Sequence, residues 1–191
     1  MLGKLIRKCF QPLRIFIYKR LSSNSRIEGQ PKRRQPVLLL GKGCISFGKN
    51  VFLGYYPSPF FYNGVTYIEA RRDSAKIVFG ENILVNNNLT IICEGSTIEI
   101  GNNVLIGTNV EIIDSDFHGI QHDKRNSGEH KFSPVNIGEN VFLGSNVKVL
   151  KGVSIGKNSV VANGAVVISS FPSNVIIGGN PAILIKKLYN E

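Results

Sequence analysis

The chain has 191 residues, 42% hydrophobic and 19% charged, a balance that allows one domain with a sizeable core and excludes disorder throughout. Its net charge of +10 is unevenly spread: residues 1–34 hold ten Lys/Arg against the single acid Glu28, and the rest of the chain is within one charge of neutral, which argues against a nucleic-acid surface on the body. Cys9, Cys44 and Cys93 lie far apart without a C-x-x-C, so neither a disulfide scaffold nor a zinc module is expected, and a reducing cytoplasm fits.

The N-terminal stretch "LGKLIRKCFQPLRIFIYKRL" places Leu2, Ile6, Cys9, Phe10, Leu13, Phe16, Ile17 and Leu21 on one side of a helical projection, with most basic residues opposite. Pro12 should split this helix or kink it. Lys8, Arg14 and Lys19 interrupt any signal-peptide core, and no apolar run is long enough to span a bilayer. Such a segment can lie in an anionic membrane interface or pack its apolar side on the body or a neighbouring subunit. "SSNSRIEGQPKRRQP", residues 22–36, is expected to be a polar linker. The division is then 1–36 for this segment and 37–191 for the main domain.

From residue 45 a period of six governs the chain. Phe47 and Leu53 begin it; Phe79, Val85, Ile91 and Ile100, Ile106, Ile112 continue it; Ile137, Leu143, Val149, Ile155, Val161 and Val167 follow at strict spacing. A six-residue period fits a coil of short strands, three faces to a turn, with the aliphatics pointing inward and Gly or Asn turning the corners at positive φ. Two stretches leave the register. "YYPSPFFYNGVTYIEARRD" is rich in aromatics and suits a saccharide, a cap or a subunit contact. The loop 113–136 carries His118, His122 and His130, the only histidines of the chain. Histidine is the side chain best matched to deprotonating a hydroxyl near neutral pH. Asp114, Asp116, His118, His122 and Asp123 could also ligate a metal, but their spacing fits no familiar site and none is expected.

These repeats, and above all "IGENVFLGSNVKVLKGVSIGKNSVVANGAVV" followed by "IIGGNPA", resemble the hexapeptide-repeat acyltransferases, in the sugar O-acetyltransferase branch that includes maltose, galactoside and polysaccharide O-acetyltransferases. The resemblance covers residues 45–188. It implies an all-β, left-handed parallel β-helix with a protruding loop, an N-terminal amphipathic helix, and a short C-terminal helix within a closing segment, 171–191. It also implies acetyl-CoA as acyl donor, a sugar or glycan acceptor such as a surface polysaccharide or its lipid-linked precursor, and a homotrimer. "HGIQHDKRNSGEHKFSPVNIG" matches the family's loop, so the resemblance assigns the base to His118 and leaves His122 and His130 as surface residues. Gly119 stands where these enzymes usually carry Pro. Asp114 or Asp116 would hold the second ring nitrogen, with Asp116 preferred and a backbone carbonyl as the alternative; Glu129 is a further acid in the loop. The resemblance gives donor-contacting positions to Gly144, Ser145, Asn163, Lys186 and Lys187, with the Gly144 or Ser145 amide as oxyanion donor, and an acceptor contact to Asn86. The expected location is the cytoplasm, at the inner face of its membrane if residues 1–21 dock there. The alternatives are an N-acetyltransferase on an amino sugar or antibiotic, and a non-catalytic β-helix.

Overall fold

A computed structural model describes residues 2–188. The chain winds into a left-handed parallel β-helix of six coils, each contributing one short strand to each of three parallel sheets. The first sheet holds Ile27–Glu28, Cys44–Phe47, Lys76–Phe79, Thr97–Ile100, Val135–Ile137 and Ser154–Ile155. The second begins with Lys32–Arg33, Phe52–Leu53, Leu84–Val85, Leu105–Ile106, Phe142–Leu143 and Val160–Val161. The third holds Val37–Gly41, Thr66–Ala70, Thr90–Cys93, Glu111–Ile113, Lys148–Val149 and Val166–Val167.

Inside the prism the six-residue aliphatics stack as ladders. Leu53, Val85, Ile106, Leu143 and Val161 align on the second sheet, and Leu39, Ile68, Ile91, Ile112, Val149 and Val167 on the third, all buried. On the first sheet Phe47 and Phe79 stack at 4.8 Å between ring centroids. Each such side chain stabilises the coil by about 1.5–3 kcal/mol of burial. The corners differ from expectation in their division of labour. Asparagines turn them: Asn50, Asn82, Asn103, Asn109, Asn140, Asn146 and Asn158 all sit at φ between 57° and 61°, which Asn tolerates through local hydrogen bonding. Their amides join neighbouring coils, as in Asn109 to Asn146 at 2.8 Å and Asn140 to Asn158 at 3.1 Å. The glycines that follow the aliphatics are needed instead for close approach; a Cβ on Gly138 would lie 2.7 Å from the backbone nitrogen of Lys157.

Three expectations are corrected. Residues 22–36 are not a linker, because Ile27–Glu28 and Lys32–Arg33 already pair with Ile45–Ser46 and Phe52–Leu53 in a first coil; Arg33 opposite Leu53 puts a charge where the pattern has an aliphatic, which hid that coil. Helix α1, Leu2–Leu21, is continuous through Pro12, so the split is excluded, at the loss of one backbone donor. The C-terminal segment forms no helix among the described residues: Ala182–Lys187 folds back antiparallel on Val175–Gly179 at the edge of the second sheet, the alternating Ile183 and Ile185 favouring a strand. Residues 189–191 lie outside the described residues.

Two insertions break the coils. Residues 54–65 leave the second coil between the second and third sheets, and residues 114–134 leave the fourth coil between the third and first.

Candidate active site

The loop 114–134 is tied down before it can carry chemistry. Asp114, fully buried, accepts hydrogen bonds from the backbone N–H groups of Glu94 (2.6 Å) and Ser96 (3.0 Å) and from the Ser96 hydroxyl (2.7 Å). Burial, with this carboxylate beside it, pushes the Cys93 thiol up to about 12, so Cys93 is an inert core thiol. Asp114 therefore serves the turn at 93–96 and not the histidine expected to share it.

A second anchor was not foreseen. Arg71 and Arg72, which end the aromatic-rich stretch, both bond Glu94, at 3.2 and 2.9 Å. The Arg71 guanidinium lies 4.8 Å from the ring centre of Phe117, and that of Arg72 lies 5.5 Å from that of Phe132. The arginine pair thus holds both ends of the loop. His130 is not a surface residue: its side chain is 9% exposed, with Nε2 at 3.3 Å from a Glu94 oxygen. Burial alone would raise the Glu94 pKa, but hydrogen bonds and charge from Arg72 and Arg71 outweigh it and hold the carboxyl below its usual range. The acid behind these contacts lies one coil before the histidine loop, and no local pattern reveals it.

Within this frame His118 is exposed and its Nδ1 lies 3.0 Å from the carbonyl oxygen of Arg125. A carbonyl only accepts, so Nδ1 carries a proton, and in the neutral ring the lone pair is on Nε2. The backbone alternative for orienting the ring is the one realised; the Asp116 carboxylate instead faces Lys151 Nζ at 3.3 Å. Phe117 sits at φ +60°, a left-handed conformation that costs a bulky residue about 1–2 kcal/mol. The Ser115 hydroxyl, accepting the Phe117 N–H at 3.0 Å, helps to hold it. Gly119 has a purpose too: a Cβ there would lie 2.5 Å from the Lys124 carbonyl, so glycine lets the loop close tightly beside His118. His118 opens into a hollow of about 550 Å³ that Asp116, Lys124, Glu129 and His130 also line. His122 is exposed on a 3-10 turn, His122–Lys124. Among the described residues no group of His, Cys, Asp and Glu could hold a metal ion.

The other expected site residues lie elsewhere. Asn86, Ser145 and Asn163 line one groove of about 410 Å³ along the outside of the second sheet, walled by Leu84, Leu105 and Phe142 and closed at one end by Arg34 and Tyr55. The three asparagines of "VNNN" divide the work: Asn86 faces the groove, buried Asn87 donates to the Tyr55 and Pro59 carbonyls and so fixes the aromatic loop, and Asn88 turns a corner. The amides expected to form an oxyanion hole are both occupied, Gly144 N–H by the Val161 carbonyl and Ser145 N–H by the Asn163 side-chain oxygen, each at 2.8 Å. Lys186 and Lys187 are exposed on the outer strand of the C-terminal pair and do not line the groove. Nor does His118: its loop leaves the corner between the third and first sheets, the corner opposite the second sheet, so a single chain keeps His118 and the groove apart.

Comparison with known proteins agrees with this architecture. Residues 134–169 match the model of the hexapeptide repeat of succinyl-transferase. The chain is 37% identical over 154 residues to a galactoside O-acetyltransferase of Lactococcus lactis, covering 81% of this chain and 68% of that protein. It is 33% identical over 166 residues to a candidate lipopolysaccharide biosynthesis O-acetyl transferase of Escherichia coli K12, covering 83% and 79%. With curated relatives that are 43% and 42% identical, the match spans little more than half their length, 57% and 54%. Among solved structures, a galactoside acetyltransferase in complex with coenzyme A superposes with a TM-score of 0.57 at 26% identity, over 98% of this chain and 79% of that one.

Proposed function

Because this chain belongs to the hexapeptide-repeat acetyltransferases, we propose that it transfers the acetyl group of acetyl-CoA to a sugar hydroxyl, with His118 as general base. The observation that carries the reading is the hydrogen bond between His118 Nδ1 and the Arg125 carbonyl, which fixes the tautomer with Nε2 free to accept a proton. In the proposed reaction Nε2 takes the hydroxyl proton as the sugar oxygen attacks the thioester carbonyl. The carbon–sulfur bond then breaks, and the imidazolium returns its proton to the departing thiolate. Asp116, which lines the same hollow and faces Lys151, serves to hold the hollow's wall and its charge balance.

The groove of Asn86, Ser145 and Asn163 suits an elongated donor arm: its apolar wall of Leu84, Leu105 and Phe142 can pack the pantetheine chain, with polar groups at intervals for its amides. Lys186 and Lys187 supply positive charge for the nucleotide phosphates, and Asn86 an acceptor contact. The opposition of loop and groove on one chain supports a homotrimer in which the loop of one subunit reaches the groove of the next. The acceptor is placed in a surface glycan or its precursor by analogy with the lipopolysaccharide-related relative.

The test is thioester cleavage with acetyl-CoA across a panel of glycans and amino sugars. His118→Ala should lose at least about 10²-fold in kcat while keeping its fold. Undiminished turnover in that variant would sink the assignment, and acetylation confined to amines would shift it to N-acetyl transfer.

A further inference from the structure

Helix α1 is mounted inside out. Among the described side chains of the helix, Gln11, Arg14, Ile15, Tyr18 and, past its end, Ser22 recur at helical spacing and are the buried or half-buried residues. Gln11, 4% exposed, donates to the carbonyls of Phe61 (2.9 Å) and Arg34 (3.2 Å), and Arg14 donates to that of Gly64 at 2.9 Å. Rolling the helix would leave these groups unpaired, which fixes its orientation. The opposite stripe faces away from the prism: Ile6, Phe10, Leu13, Phe16, Ile17 and Leu21 are each between 43% and 60% exposed. An amphipathic helix belonging only to its own domain buries the other side.

The apolar stripe does not end with the helix. The Phe10 ring lies 6.5 Å from that of Tyr62, and together with Ile6 they line an apolar crevice that leads onto the loop 54–65. There Tyr55, Tyr56, Phe60 and Tyr62 are between 39% and 53% exposed. Tyrosine, with an apolar ring and a polar tip, suits the headgroup level of a bilayer. The charge around this surface has one sign. No acid occurs in α1, Lys8, Lys19 and Arg20 are exposed on it, and the Arg20 guanidinium lies 5.2 Å from the ring centre of Phe16 at the border of the stripe. A second copy of the same helix would bring like charges together; an anionic surface would neutralise them.

We propose that the outer face of α1 and the aromatic loop form a docking surface for an anionic phospholipid bilayer. The helix lies in the interface plane with its apolar stripe among the acyl chains and its cations at the headgroups. Among the described residues no helix is long and apolar enough to cross a membrane.

Cosedimentation of the full chain with vesicles tests this. Phosphatidylglycerol-containing vesicles should bind it at least about tenfold more tightly than pure phosphatidylcholine vesicles, with the difference shrinking as salt rises. The pairs Leu13→Glu/Phe16→Glu and Lys19→Glu/Arg20→Glu should each lose about tenfold or more in binding, without change in sedimentation or in acetylation of a soluble acceptor. Absence of wild-type binding to anionic vesicles, or dissociation of the oligomer by the Leu13/Phe16 pair, would overturn the proposal, the latter by assigning the face to a second copy. Vesicle binding is read without turnover, so it can fail or succeed independently of the catalytic assignment.

Discussion

At the scale of the residue, two neighbouring carboxylates show how little proximity in sequence says about partnership. Asp114 and Asp116 are both within four residues of His118, yet one is spent inside the protein on the turn at 93–96 and the other on Lys151. Asp114→Ala would leave several buried donors unpaired, each costing about 1–3 kcal/mol. Its melting temperature should fall by roughly 10 °C, taking about 2–4 °C per kcal/mol for a chain of this size; a fall within a degree or two, by calorimetry, would contradict the role given to it. The loop that carries His118 was legible, because it is the stretch where the six-residue register lapses before the next coil. The partner of His118 was not, since a backbone carbonyl seven residues on has no signature in side-chain identity. His130 was misread for the complementary reason: its neighbour Glu94 lies in the previous coil, brought there by stacking and not by sequence.

At the scale of the element, the histidine loop is a guest on the prism, held by one polar cluster. Glu94 binds Arg71, Arg72 and His130, and the two arginines reach Phe117 and Phe132 at the loop's two ends. The carboxyl is held below its ordinary value of 4.5 in the folded protein. A group with a depressed folded pKa contributes stability that is fully present above its unfolded value and is lost as pH falls through the folded one. The loop should therefore loosen below about pH 4.5, ahead of the aliphatic coils, seen as faster amide exchange over 115–133 than over the ladders. Glu94→Gln should produce the same loosening at neutral pH, and equal protection of loop and coils through the acid range would disprove the anchor. The coil strands were legible from period six because each inward position repeats the same chemistry. The first coil was not, with Arg33 in place of an aliphatic, nor was the closing strand Ala182–Lys187, whose pairing is antiparallel and outside the repeat.

At the scale of the whole molecule, the opposition of histidine loop and groove turns assembly into a condition for activity under the proposed reading. Mixing inactive His118→Ala subunits with subunits inactivated in the groove by Ser145→Trp should restore a fraction of wild-type turnover after subunit exchange, because some interfaces then pair an intact loop with an intact groove. No recovery in exchanged mixtures would place the whole site on one chain. The prism and its two insertions could be read in advance because they are, respectively, the regularity and its exceptions; which corner each exception leaves from required the count of strands per coil, and the hidden first coil shifted that count.

The stacked coils also act as a ruler. Neighbouring strands in a sheet are separated by about 4.8 Å, and on the second sheet the strands that carry Asn86, Gly107, Ser145 and Asn163 are consecutive rungs. Distances along the groove are therefore available only in whole steps of that size. Substitutions can change what a rung offers but not where it stands, and a change in reach requires the gain or loss of a complete turn of eighteen or so residues. A molecule built this way measures its ligand by integer lengths.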